Sequence, residues 1–195
     1  MIIKLKWILI LLTFPCIGYA NNQCNSSSWN DNLTQFNQLE SNYNQYVNVF
    51  NALLAEHKQR PLLSQTFSIE ELALLWRKKV NTTQFENQLQ ASKQYQKELT
   101  QKAVELTKLS TQSKWVENSW GKLAKSCNAS NAKANQISAE WYQDNANQLA
   151  NDYKQLASQF RALSQAYDNE ANALESSLHL SNSMQTNSQG KLSNP

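Results

Sequence analysis

Two histidines, two carboxylates one helical turn apart and three cysteines are the side chains of this 195-residue chain best equipped for chemistry. His57 and His179 are its only imidazoles, the groups suited to moving a proton near neutral pH. Neither stands at a spacing that would make it the base of a nucleophile or part of a metal site. Glu140 and Asp144 share a helix face, where such pairs usually form a solvated surface. Nothing resembles H-E-x-x-H, G-x-S-x-G, a glycine-rich phosphate loop or C-x-x-C. With three glycines in all, a backbone cradle for phosphate is hard to build. The expectation is a protein that is not an enzyme, with no catalytic residue, no cofactor and no metal.

The cysteines point to compartment instead. Residues 1–20 read as a secretory signal: Lys4 and Lys6 form a basic start, Trp7 to Phe14 an apolar run, and Gly18-Tyr19-Ala20 a small-residue cleavage site. The run falls short of the ~20 residues a membrane span needs. Cys16 would leave with the leader, because Phe14-Pro15 suit lipoprotein processing poorly. The exported chain keeps Cys24 and Cys127, and in an oxidising compartment a lone pair is expected to form one disulfide. The predicted address is therefore periplasmic or secreted.

Cleavage near Ala20 lowers the net charge from +3 to about +1, which argues against nucleic acid as a partner. The remaining charge is uneven: 69–127 is basic and 128–180 acidic, as expected of segments lying side by side. Gly and Pro number three each, which favours long helices over strands. Asn and Gln together number 45 and fill the polar positions between apolar ones, reading as a neutral helix surface. Four N-x-S/T sequons, opened by Asn25, Asn32, Asn81 and Asn128, are no more than such a composition produces by chance.

These patterns define the elements. Leu33, Phe36, Leu39, Tyr43, Tyr46, Val47, Phe50, Leu53 and Leu54 stripe a helix over about 31–58. Arg60-Pro61 ends it. Ser68 and Glu71 form a capping box, with Phe67 and Leu72 as staple, opening a short helix over 69–80. A break is expected at Asn81-Thr82-Thr83: one helix over 69–127 would be ~88 Å long against ~42 Å for the first, too unequal for Cys24 to reach Cys127. Thr83 and Glu86 offer a second capping box. The third helix then spans 84–127, with Ser92, Gln96 and Ser113 interrupting its stripe. The fourth, over 130–178, carries the longest seam: Tyr142, Ala146, Leu149, Tyr153, Leu156, Phe160, Leu163, Tyr167, Leu174 and Leu178. Residues 181–195 read as a disordered polar tail.

The predicted fold is all-α: an elongated antiparallel three-helix bundle built on a coiled-coil hairpin, with a short extra helix, spanning 21–180. Two features could bind a partner. The short helix is apolar nearly all round, with Ile69, Leu72, Leu75 and Trp76 followed by Arg77, Lys78 and Lys79; it either plugs the open end of the bundle or meets a protein or a membrane surface. Trp115 and Trp141 belong to an aromatic group near the disulfide that also includes Trp29, Trp120 and Tyr142; they either pack on the first helix or form an exposed contact patch.

The expected function is an exported scaffold or binding protein of the bacterial cell envelope, a monomer or small homo-oligomer acting through protein–protein contacts. Alternatives are a secretion-system or pilus accessory subunit and a periplasmic holding chaperone. In composition and architecture, mainly over 33–76, the Gln- and Tyr-rich first helix and small capped helix loosely resemble minor pilus-tip subunits of type IV secretion systems.

Overall fold

A computed structural model describes residues 24–190. The leader expected over 1–20, with Cys16, lies outside the described residues, as do 191–195. The described chain is all-α: α1 (Ser26–Gln59), a 3-10 turn (Leu63–Gln65), α2 (Ile69–Arg77), α3 (Thr82–Ala129) and α4 (Lys133–Gly190), with no strand among the described residues.

α3 and α4 pack against each other as an antiparallel hairpin. On α3 the inward residues recur every seven positions, Phe85, Ser92, Leu99, Leu106, Ser113, Trp120 and Cys127, and all are buried. On α4 the matching series is Ala139, Ala146, Tyr153, Phe160, Tyr167 and Leu174, each at most 2% exposed. A strict seven-residue repeat is the coiled-coil period. Beside it runs a row of small residues, Ala103, Ser110 and Ala124 on α3 and Ala150, Ala157, Ser164 and Ala171 on α4, all buried. Small side chains let the backbones approach closely enough for hydroxyls to reach the opposite helix. Ser113 donates to the Ala146 carbonyl at 2.8 Å, Ser110 to Ala150 at 2.7 Å and Ser164 to Gln96 at 3.0 Å. The serines that interrupt the apolar stripe in the sequence thus occupy core positions of this seam.

α1 runs antiparallel to α3 and parallel to α4. Cys24 is bonded to Cys127, with Cα atoms 4.9 Å apart, and next to it the Asn25 side chain caps the helix by accepting from the Ser28 N–H at 2.9 Å. From there, ring pairs climb the α1–α4 contact in steps of about a heptad: Phe36 on Tyr142, Tyr43 on Tyr153, Phe50 on Phe160 and His57 on Tyr167, with centroids 4.9–5.5 Å apart in edge-to-face geometry. Tyr153, fully buried, donates its hydroxyl to the Leu39 carbonyl at 2.6 Å. Along α3, Asn32 accepts from Ser119 and Glu105 from Tyr46, at 2.6 and 2.7 Å.

The connector from α1 to α2 is tied to α4 by Glu170. This fully buried carboxylate accepts from the N–H groups of Leu63 and Ser64 at 2.9 and 2.8 Å, and from Gln88 at 3.2 Å. It caps the 3-10 turn from across the molecule, satisfying donors that would otherwise be orphaned. α2 opens with the expected capping box of Ser68 and Glu71. Its inner face joins Leu72 and Trp76 to Phe85, Leu89, Ala171 and Leu174 in a second, smaller core.

The break between α2 and α3 lies where expected, made by left-handed backbone at Lys79 and Asn81; Asn tolerates that conformation better than most residues. α3 begins at Thr82, so Thr83 and Glu86 sit inside it, and the N-cap, Asn81, makes no side-chain capping bond. At the other end, α4 continues to Gly190, so residues 181–190, expected as the start of a disordered tail, are helical. No Gly or Pro interrupts 179–189, and Ser181, seven residues after Leu174, is buried. The register of the seam carries the helix onward.

Candidate functional site

The aromatic group beside the disulfide separates into an inner stack and two outer indoles. Trp120, fully buried, lies flat on Tyr142 with centroids 4.5 Å apart and planes 13° apart. Trp29 meets Trp120 edge-on at 5.1 Å and Tyr142 at 6.3 Å. The Trp120 indole N–H has no hydrogen-bond partner among the described residues, an unmet donor of the kind that costs about 1–3 kcal/mol and that the stacking around it must offset. Trp115 and Trp141 stand outside this stack, 66% and 58% exposed.

Both outer positions immediately precede or follow a residue that packs inward. Trp115 precedes Val116, which is buried, and Trp141 precedes Tyr142. One step along a helix turns a side chain by about 100°, which carries the indole from core to surface. Trp141 leans edge-on against Tyr142, centroids 4.9 Å apart, so its exposed ring is backed by the rigid stack. Ile137, one turn earlier, is 56% exposed. Together they make an apolar patch on the outer face of α4. Trp115 borders a different surface, the groove between α1 and α3.

The short helix presents two faces. Leu72 and Trp76 are buried, and the Trp76 indole N–H donates to Ser177 Oγ at 3.0 Å while its ring meets Phe85 at 5.2 Å. Leu75 is half-buried, and Ile69, Arg77, Lys78 and Lys79 are exposed. Leu72 and Trp76 therefore hold α2 in place, and only the remaining residues lie open to a partner.

The histidines fall far apart. His57 Nδ1 is 3.3 Å from the Tyr167 hydroxyl, and His179 is exposed further along α4, ~18 Å beyond Tyr167 by helix rise. Among the described residues no group of three or more His, Cys, Asp or Glu could hold a metal, and no helix is long and apolar enough to cross a membrane. Near His57, Tyr95 stacks on Tyr167 at 4.9 Å, donates to Glu56 and lies under the Arg60 guanidinium, 5.0 Å from its ring centre. The hydrogen bond to Glu56, then burial, raises the Tyr95 pKa. Burial first, then the bond to Glu105, pushes Tyr46 up to about 12. Tyrosines so held are neutral hydrogen-bonding groups.

Glu170 is the polar residue that periodicity alone does not single out. Its signal is an acid at a position one turn from both Tyr167 and Leu174 in an apolar seam, where a charge persists only with dedicated partners.

No protein-family model, curated protein or solved structure matches this chain. Its function is accordingly read from its own surface chemistry.

Proposed function

We propose that this protein is an exported helical scaffold of the bacterial cell envelope, an elongated three-helix bundle that binds another protein through the outer face of α4 near its disulfide. The observation that carries the reading is Trp141, 58% exposed, with Ile137 one turn away. A large exposed indole held from behind by a rigid aromatic stack has the character of an interface anchor, because little side-chain freedom is left to lose on binding. The apolar run before Cys24 and the Cys24–Cys127 bond support export, since a lone structural disulfide suits an oxidising compartment. The exposed Ile69 and the Arg77-Lys78-Lys79 run offer a second contact, to a protein or a membrane surface, at the opposite end.

Fractionating native cells tests the address: the expectation is recovery outside the cytoplasm, lacking residues 1–20 by mass. Cytoplasmic recovery with an intact leader would overturn export. Capture from the envelope with Trp141→Ala as the comparison tests the contact. The expected result is one specific protein retained by the native chain and lost by the variant; equal retention by both would remove Trp141 from the interface.

A further inference from the structure

Trp115 and Trp141 are alike in exposure and unlike in setting. Trp141 leans on Tyr142 and stands one turn from the exposed Ile137. Trp115 instead walls a groove of about 370 Å³ between α1 and α3. Leu39 and Val116, 5% and 4% exposed, form the floor. The rest of the lining is four primary amides, Gln35, Gln38, Asn42 and Gln112, with no ionisable side chain. Each amide carries two donors and a carbonyl acceptor. Among the described residues these four hydrogen-bond to no other side chain or backbone group of the chain. Elsewhere on the helices, Gln94, Gln101, Gln136, Gln148 and Gln165 each donate to an acceptor one turn on. The amides of this groove are therefore uncommitted, and they converge on the one indole that stands among them.

We infer that this groove binds a neutral sugar chain, a role distinct from the protein contact proposed at Trp141. A sugar ring has an apolar C–H face that lies flat on an indole, and an equatorial rim of hydroxyls that both donate and accept. One aromatic platform ringed by uncharged groups of mixed donor and acceptor character matches that chemistry at both places. An anionic polymer would call for cations beside the indole, and none lines the recess that Trp115 walls; Lys102 and Lys108 stand in the next recess, where Glu105 accompanies them. A partner helix would call for a continuous apolar floor, and here only Leu39 and Val116 supply one. The groove is also extended. Asn42 and Gln112 line in turn the next recess along, with Gln45, Tyr46, Val49 and Leu109 and with Lys102, Glu105 and Lys108 on its α3 side, so that Gln35 to Val49 spans ~21 Å along α1. A linear chain of several sugars fits such a trough better than a single compact ligand.

The test is calorimetric titration of the full oxidised chain with three neutral linear hexasaccharides, one each of β-1,4-linked glucose, β-1,4-linked N-acetylglucosamine and α-1,4-linked glucose. At least one is expected to bind saturably. Trp115→Ala should weaken that binding at least tenfold and Trp115→Phe much less, because phenyl keeps part of the platform. Gln38→Ala and Gln112→Ala should each weaken it several-fold, and Trp141→Ala should leave it unchanged. Circular dichroism checks that the variants keep the fold, as expected for exposed positions. The inference is overturned if none of the three binds at millimolar concentration, or if Trp115→Ala binds as the native chain does. Loss of sugar binding in Trp141→Ala but not Trp115→Ala would place the site on the other indole and overturn it equally. A crosslink from Trp115 to a protein, with no sugar bound, would make the groove a protein contact instead. None of these outcomes depends on whether Trp141 retains a protein, so the two readings fail separately.

Discussion

Five tyrosines, Tyr43, Tyr46, Tyr95, Tyr153 and Tyr167, are held above the ordinary phenol value of 10.0. Burial leads in four of them, and the bond to Glu56 leads in Tyr95. A folded-state value above the unfolded one means that the folded chain holds the proton more tightly. The stabilisation is then fully present below pH 10 and lost as pH rises through the folded values, about 12 for Tyr46. Denaturant midpoints are therefore expected to show no tyrosine-linked fall up to about pH 9 and a steep one above about pH 10; a flat profile through pH 11 would contradict the burial of these rings. Other single residues divide as sharply. Glu170→Ala strips the connector N–H groups of their acceptor and should cost about 2–3 kcal/mol in urea unfolding. Trp120→Ala empties the centre of the stack and should cost about 3–5 kcal/mol. Trp141→Ala, at the surface, should stay within about 0.5 kcal/mol of the native chain. These contrasts separate residues that build the fold from one that is free to meet a partner.

At the scale of elements, the hairpin of α3 and α4 depends on small residues as much as on apolar ones. Ala150 and Ala157 are fully buried against α3, leaving no room for a larger side chain. Ala157→Leu should therefore destabilise by about 1–3 kcal/mol through overpacking, read as a lowered thermal midpoint. An unchanged midpoint would mean the helices are further apart than their serine–carbonyl bonds imply. The stripe on α4, the end of α1 at Arg60-Pro61 and the α2 capping box were legible in the sequence, because each rests on a short-range rule: period, proline, or side-chain reach. The break near Asn81 was legible only through the length that the disulfide imposes. Other features were not. Ser92 and Ser113 read as interruptions because a hydroxyl is polar, while their small volume is what the seam selects. Glu170 closes contacts more than a hundred residues apart, beyond any local pattern. The exposure of Trp115 and Trp141 turned on a single step around a helix, and the α4 extension on a register that holds through polar residues.

For the whole molecule, the Cys24–Cys127 bond closes a separation of 103 residues and joins the start of α1 to the hairpin's turn. Removing it with Cys127→Ser should lower stability by up to about 4–5 kcal/mol, since a loop of this length gains most from a cross-link in the unfolded chain. The loss should fall first on α1, whose packing on the hairpin is far thinner than that of α3 on α4; hydrogen exchange would show α1 opening before the hairpin. Exposed apolar residues gather both near the disulfide, at Trp115, Ile137 and Trp141, and around α2, at Phe67, Ile69, Leu74 and Val80; the contact proposed at Trp141 uses the first group. The most direct measurement of that contact is photo-crosslinking in intact native cells, with the reactive side chain placed in turn at Trp141, Ile137 and, as control, Val104, an exposed apolar residue on α3. The same discrete protein adduct is expected from Trp141 and Ile137, and none from Val104. No adduct from either α4 position, or an equal yield from all three, would contradict the contact at Trp141.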